Sequence, residues 1–146
     1  MKRDLKFEAW YEFPPEVVWS ALTDREAMSE WLMPNDFEPR VGHKFTLRTK
    51  PAPGFDGIVR CEIKEISPPR RLSYSWEGGG IDTLVTFSLT PSPGGTHVVL
   101  EHTGFRGFRG LMVSAILGQG WRKKILPIGL LAAVRQMSET AHGVRD

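Results

Sequence analysis

Phe13-Pro14-Pro15-Glu16-Val17-Val18-Trp19-Ser20-Ala21-Leu22-Thr23-Asp24 marks a change of periodicity. Before it, Leu5, Phe7, Ala9, Tyr11 and Phe13 alternate with Lys6, Glu8, Trp10 and Glu12, the period of a strand. Pro14-Pro15 ends that strand, because proline cannot donate to a ladder. Pro15 suits a first helical turn, and Val17, Val18, Ala21 and Leu22 then form a short helical stripe with Trp19 beside it. Thr23 or Asp24 reads as the N-cap of a second short helix, with Glu26 in its first turn. Ala27, Met28, Trp31 and Leu32 give its apolar side, and Pro34 stops it.

Strand-like segments follow. Lys44–Thr49 lies after the turn Val41-Gly42-His43, and Pro51-Ala52-Pro53-Gly54 is a turn or loop. Gly57–Ile66 places Val59, Cys61 and Ile63 opposite Arg60, Glu62 and Lys64, and Pro68-Pro69 breaks it. Leu72, Tyr74 and Trp76 alternate with Ser73, Ser75 and Glu77, and Gly78-Gly79-Gly80 is a loop. Ile81–Thr90 puts Thr83, Val85, Phe87 and Leu89 on one face. Pro91-Ser92-Pro93-Gly94-Gly95 turns the chain back into Thr96–Thr103, an antiparallel hairpin in which Val98, Leu100 and His102 share a side.

The last third changes character. Gly104–Gly110 reads as a Gly/Phe/Arg loop, a flexible flap over a pocket mouth. Leu111–Leu117 is a short helix, and Gly118-Gln119-Gly120 interrupts it. Trp121, Ile125, Ile128 and Ala132 have helical spacing, joined by Leu131, Val134 and Met137. Pro127 either kinks this helix or marks its restart. An antiparallel meander needs a helix over its apolar face.

At 146 residues, with 40% apolar and 25% charged residues, the chain reads as one domain spanning 1–146 and not as a disordered segment. The longest apolar run, Ile125–Val134, is far short of the roughly 20 residues that span a bilayer, so no stable membrane insertion is expected. No secretory signal is read at the N-terminus, and a lone Cys61 excludes an internal disulfide. A cytoplasmic setting is expected. Residues 1–101 carry 12 Lys and Arg against 15 Asp and Glu, whereas residues 102–146 carry 7 against 2. No continuous basic stripe suggests nucleic acid. The cluster Arg122, Lys123 and Lys124, with Arg106 and Arg109, suits either a solvated rim or an acidic protein partner.

Several stretches carry a family signature. Phe13–Asp24 followed by Trp31 resembles the first strand-to-helix segment of START-like (SRPBCC) proteins. More narrowly, it is similar to the branch named after the activator of heat-shock protein 90 ATPase (AHSA-type). Phe37-Glu38-Pro39-Arg40-Val41-Gly42, Pro68–Trp76 and Gly95–Phe105 agree in order and spacing, and Gly120-Trp121 matches the entry into the last helix. The resemblance covers nearly the whole chain. It implies an α+β helix-grip fold: a curved antiparallel sheet of about six or seven strands gripping a long C-terminal helix, with two short helices after the first strand. Such relatives include ligand carriers, cyclases and aromatases, resistance proteins and co-chaperone domains, and the fold does not choose among them.

An apolar cavity between sheet and last helix is therefore expected, holding a small hydrophobic or aromatic molecule. Its expected lining is Trp31, Phe37, Phe45, Cys61, Tyr74, Trp76, Phe87, His102, Trp121 and Ile125. An inward His102 suits either a ligand contact, acid–base work with Tyr74 in a cyclase-like enzyme, or a satisfied core histidine. Cys61 reads as a small buried hydrophobe. The third reading is an interaction domain acting on a chaperone ATPase. A roomy cavity with a converging His–Tyr pair favours the enzyme; a filled core with an exposed basic patch favours the interaction domain. His43, His97, His102 and His142 are scattered, so no metal is expected. No nucleotide fingerprint occurs and no cofactor is expected. A homodimer is left open.

Overall fold

The computed structural model describes residues 2–141; His142 lies outside them. Strand β1 (Lys2–Tyr11) leads into helices α1 (Pro15–Thr23) and α2 (Arg25–Trp31). Strands β2 (Lys44–Arg48), β3 (Ile58–Ser67), β4 (Arg71–Gly78), β5 (Ile81–Ser92) and β6 (Gly95–Arg106) follow. They form one six-stranded antiparallel sheet in the order β1-β6-β5-β4-β3-β2. A long C-terminal helix completes the helix-grip fold. It runs as α3 (Gly107–Gly120), a π-helical stretch (Trp121–Leu130) and α4 (Leu131–Ala141).

The local chemistry explains the elements. Pro15 opens α1, and the Asp24 carboxylate caps α2 by accepting from the Ala27 N–H at 2.9 Å. The Trp31 indole N–H donates to the Ala21 carbonyl at 2.8 Å, tying α2 to α1. Between β4 and β5 the turn is only Gly79-Gly80, with φ of +64° and +85°, a pairing of left-handed residues that two-residue hairpins favour. The alternating residues of β3, β4 and β5 bury one face, as their period requires.

Two expectations about the last third are corrected. Gly104–Gly110 is not a loop: Gly104–Arg106 complete β6, and Gly107–Gly110 open α3. Nor do Gly118-Gln119-Gly120 interrupt the helix, which passes through them in helical geometry. Packing overrides the poor propensity of glycine here. Gly110, Ser114 and Gly118 stand four apart on the buried side of α3. A Cβ at Gly118 would already touch Leu5 and Phe7 of β1, and one at Gly110 would press on the Phe105 backbone.

The buried face of the last helix also differs from its expected stripe. Trp121, Leu126, Leu130 and Val134 are buried, while Ile128 is 66% exposed and Ala132 is exposed. A π turn closes its bonds one residue further along than an α turn, so the face moves on by one residue after Trp121. Pro127 lies inside this stretch without splitting the helix. Tyr11 fastens the stretch to β1, its hydroxyl donating to the Leu126 carbonyl at 2.7 Å.

Candidate functional site

The buried end of the fold is organised around His102. Asp4 of β1 stands opposite two residues of β6, Thr103 and Gly104, so β6 bulges there; Gly104 has φ of +98° and its N–H donates to the Asp4 carboxylate. The bulge falls after His102 and leaves that ring facing inward. It also brings Phe105 to the same side, with ring centroids 4.6 Å apart. Thr83 donates its hydroxyl hydrogen to the Trp76 carbonyl at 3.0 Å, so its oxygen accepts from His102 Nε2–H at 2.7 Å. Nδ1 of His102 then accepts the Trp121 indole N–H at 3.2 Å. Both ring nitrogens are used, and the imidazole is the neutral Nε2–H tautomer. Burial lowers its pKa to about 3.

The other expected lining residues meet as a run of packed rings. Phe37 contacts Phe45, Phe45 contacts Tyr74, Tyr74 contacts Phe87, and Phe87 contacts both Trp31 and Trp121. Trp121 then reaches Trp76 at 6.0 Å. These rings are buried, so the centre between sheet and helix is largely side chain. Cys61 is buried on β3, where burial pushes its thiol pKa up. Ile125 is half-buried in the π-helical stretch. The Tyr74 hydroxyl is buried with no hydrogen-bond partner among the described residues, and burial pushes its pKa well up.

Open space lies instead at the β4–β5 turn end. A cleft of about 610 Å³ runs between α3, the ends of β3, β4 and β5, and the loop before β3. Val59, Trp76 and Ile81 form its floor, Phe55 and Met33 one side, and Phe108, Met112, Val113, Ile116 and Leu117 of α3 the other. Trp76 is the expected lining residue that it contains. Arg109 is the charged side chain on its wall. Hollows between α2 and α4, and on the outer side of the β4–β5 turn, are lined by acidic or mixed polar groups. Among the described residues, no three His, Cys, Asp or Glu side chains gather as a metal site.

Helix α3 gives this cleft its character. Its packed side carries Gly110, Ser114 and Gly118; its other side carries Phe108, Met112 and Ile116 at the same four-residue spacing. Those three are 72%, 51% and 67% exposed. Large apolar groups are thus spent on the cleft and small ones on the sheet, the reverse of an ordinary surface helix. Both sets stand in the sequence at i, i+4 and i+8. The signal is lost when Gly104–Gly110 is read as a loop and Gly118 as an interruption.

A curved sheet, a gripping helix and an apolar cleft between them define a helix-grip protein of the START-like class. The chain belongs to the activator of Hsp90 ATPase homolog 1-like family, whose model matches residues 12–125. It is similar in structure to protein MLL2253 from Mesorhizobium loti, with 32% identity, a TM-score of 0.78, and coverage of 94% of this chain and 98% of that one. CalU16 from Micromonospora echinospora shares the fold at 24% identity and a TM-score of 0.69, covering 95% and 85%. So does an HSP90 activator from Plasmodium falciparum, at 22% identity and 0.69, covering 84% and 90%. No curated protein matches the chain. No helix among the described residues is long and apolar enough to cross a membrane.

Proposed function

We propose that this protein binds a small apolar or aromatic molecule in the cleft between α3 and the β3–β5 end of the sheet. The observation that carries this reading is the exposed apolar row Phe108, Met112 and Ile116 along the α3 wall of the cleft. Contiguous exposed apolar surface of this kind is normally a binding site. The cleft volume, about 610 Å³, lies in the range of roughly 300–1,000 Å³ of small-molecule sites. His102 packs against the Trp76 ring and Tyr74 against Phe45 and Phe87, and neither lines the cleft, which supports binding over a His–Tyr reaction. A reducing, cytoplasmic setting suits the lone buried thiol of Cys61.

Titration with the neutral fluorophore N-phenyl-1-naphthylamine tests the reading. Wild-type protein should enhance its emission saturably, and Ile116→Glu should weaken binding at least tenfold. No saturable binding, or equal binding by Ile116→Glu, contradicts it.

A second reading is an interaction domain for an acidic protein. The filled aromatic centre and the exposed Arg122, Lys123 and Lys124 favour it. Association that depends on those three cations and not on Ile116 would select this reading.

A further inference from the structure

We infer that the molecule held in this cleft is an amphipathic anion: an apolar or aromatic body carrying one carboxylate, sulfonate or phosphate-like group, read by Arg109. The inference rests on the cleft being a ligand site and names the class of ligand. Apart from Arg109, the hydroxyl of Thr49 and the indole N–H of Trp76, the wall is apolar side chains and turn backbone. A single cation on an apolar wall sets one end of a ligand apart from the rest.

Arg109 is held in place yet unspent. Its Nη1 donates to the Gly79 carbonyl at 3.0 Å, and its guanidinium lies against Gly54 and Gly80. The close approach depends on those glycines: a Cβ on Gly80 would collide with the Arg109 side chain. Among the described residues no carboxylate stands within ion-pair distance of Arg109. A guanidinium has five N–H donors in a fixed fork. One is used, so the others can take a two-oxygen anion. Arg109 also stands in the first turn of α3, which has no acidic residue and no side-chain cap. The positive end of the helix dipole therefore adds to the same end of the cleft.

A matched probe pair tests this. 1-Anilinonaphthalene-8-sulfonate and N-phenyl-1-naphthylamine share one ring body and differ by the sulfonate. Wild-type protein should bind the sulfonate about tenfold more tightly at low salt, the scale of one charge-assisted contact. Arg109→Met should bring the two affinities to within about twofold, and Arg109→Glu should reverse the order. Raising salt on wild-type protein should erode the preference, a readout that needs no variant. Equal affinities in the wild type, or a preference that survives Arg109→Met, overturn the anion inference and leave the cleft reading standing. Failure of both probes to bind overturns the cleft reading and this inference with it.

Discussion

Trp121 donates its indole N–H to Nδ1 of His102 across 3.2 Å, and that bond joins the last helix to the sheet through a buried imidazole. The neutral ring passes the chain on to Thr83 and the Trp76 carbonyl. Protonating Nδ1 would set two donors against each other. The bond between Trp121 and His102 therefore requires an uncharged imidazole.

A pH dependence of folding follows. Burial holds the His102 pKa at about 3 in the folded protein, against 6.5 ordinarily. Between those values the unfolded chain takes up a proton that the folded one does not. The contribution is complete above about pH 6.5 and is lost as pH falls towards 3, with a slope approaching about 1.4 kcal/mol per pH unit. Urea unfolding from pH 7 to 4.5 should show this slope in the wild type and lose it in His102→Gln. Equal slopes would contradict the buried neutral ring.

Tyr74 presents the opposite case, a hydroxyl buried without a partner. Tyr74→Phe should leave stability unchanged or raise it by about 1 kcal/mol, because an unsatisfied buried group is removed. A loss larger than about 1 kcal/mol in urea unfolding would show that the hydroxyl is bonded in solution.

Much of the fold is legible in the sequence, because strand burial repeats every two residues and proline and glycine punctuate the turns. Leu72, Tyr74 and Trp76 show the inward face of β4 directly, and Asp24 shows the start of α2. The helical C-terminal third is less legible. Gly107, Gly110, Gly118 and Gly120 argue locally against a helix that tertiary packing imposes, and the π turn shifts burial from Ile128 to Leu130. Periodicity also tells which side of a strand is covered, not whether the space there is filled. For that reason Phe45, Phe87 and Trp121 were legible as inward residues, while the position of the open space near Phe55 and Phe108 was not.

Gly80→Ala should act on the cleft through Arg109. The left-handed φ of +85° and the contact with the Arg109 side chain both oppose a Cβ. The variant should lose about 1 kcal/mol or more in stability and reduce the preference for the sulfonate probe. Full retention of both would mean that the turn and Arg109 are not coupled.

Reversing Arg122, Lys123 and Lys124 to Glu should preserve the fold, since the three side chains are exposed. The expected cost is about 1 kcal/mol, including the contact of Arg122 over the Phe7 ring at 5.7 Å. Preference between the two naphthalene probes should persist. Its loss would move the anion site from Arg109 to the π-helical stretch.

The central claim, that the cleft under α3 is the binding site, is tested most directly by amide chemical shifts of labelled protein titrated with N-phenyl-1-naphthylamine. The account predicts saturable shifts concentrated at Phe55, Trp76, Ile81, Phe108, Met112 and Ile116. Shifts centred instead on Asp24, Glu30 and Gln136 between α2 and α4, or no saturable shifts at all, would contradict it.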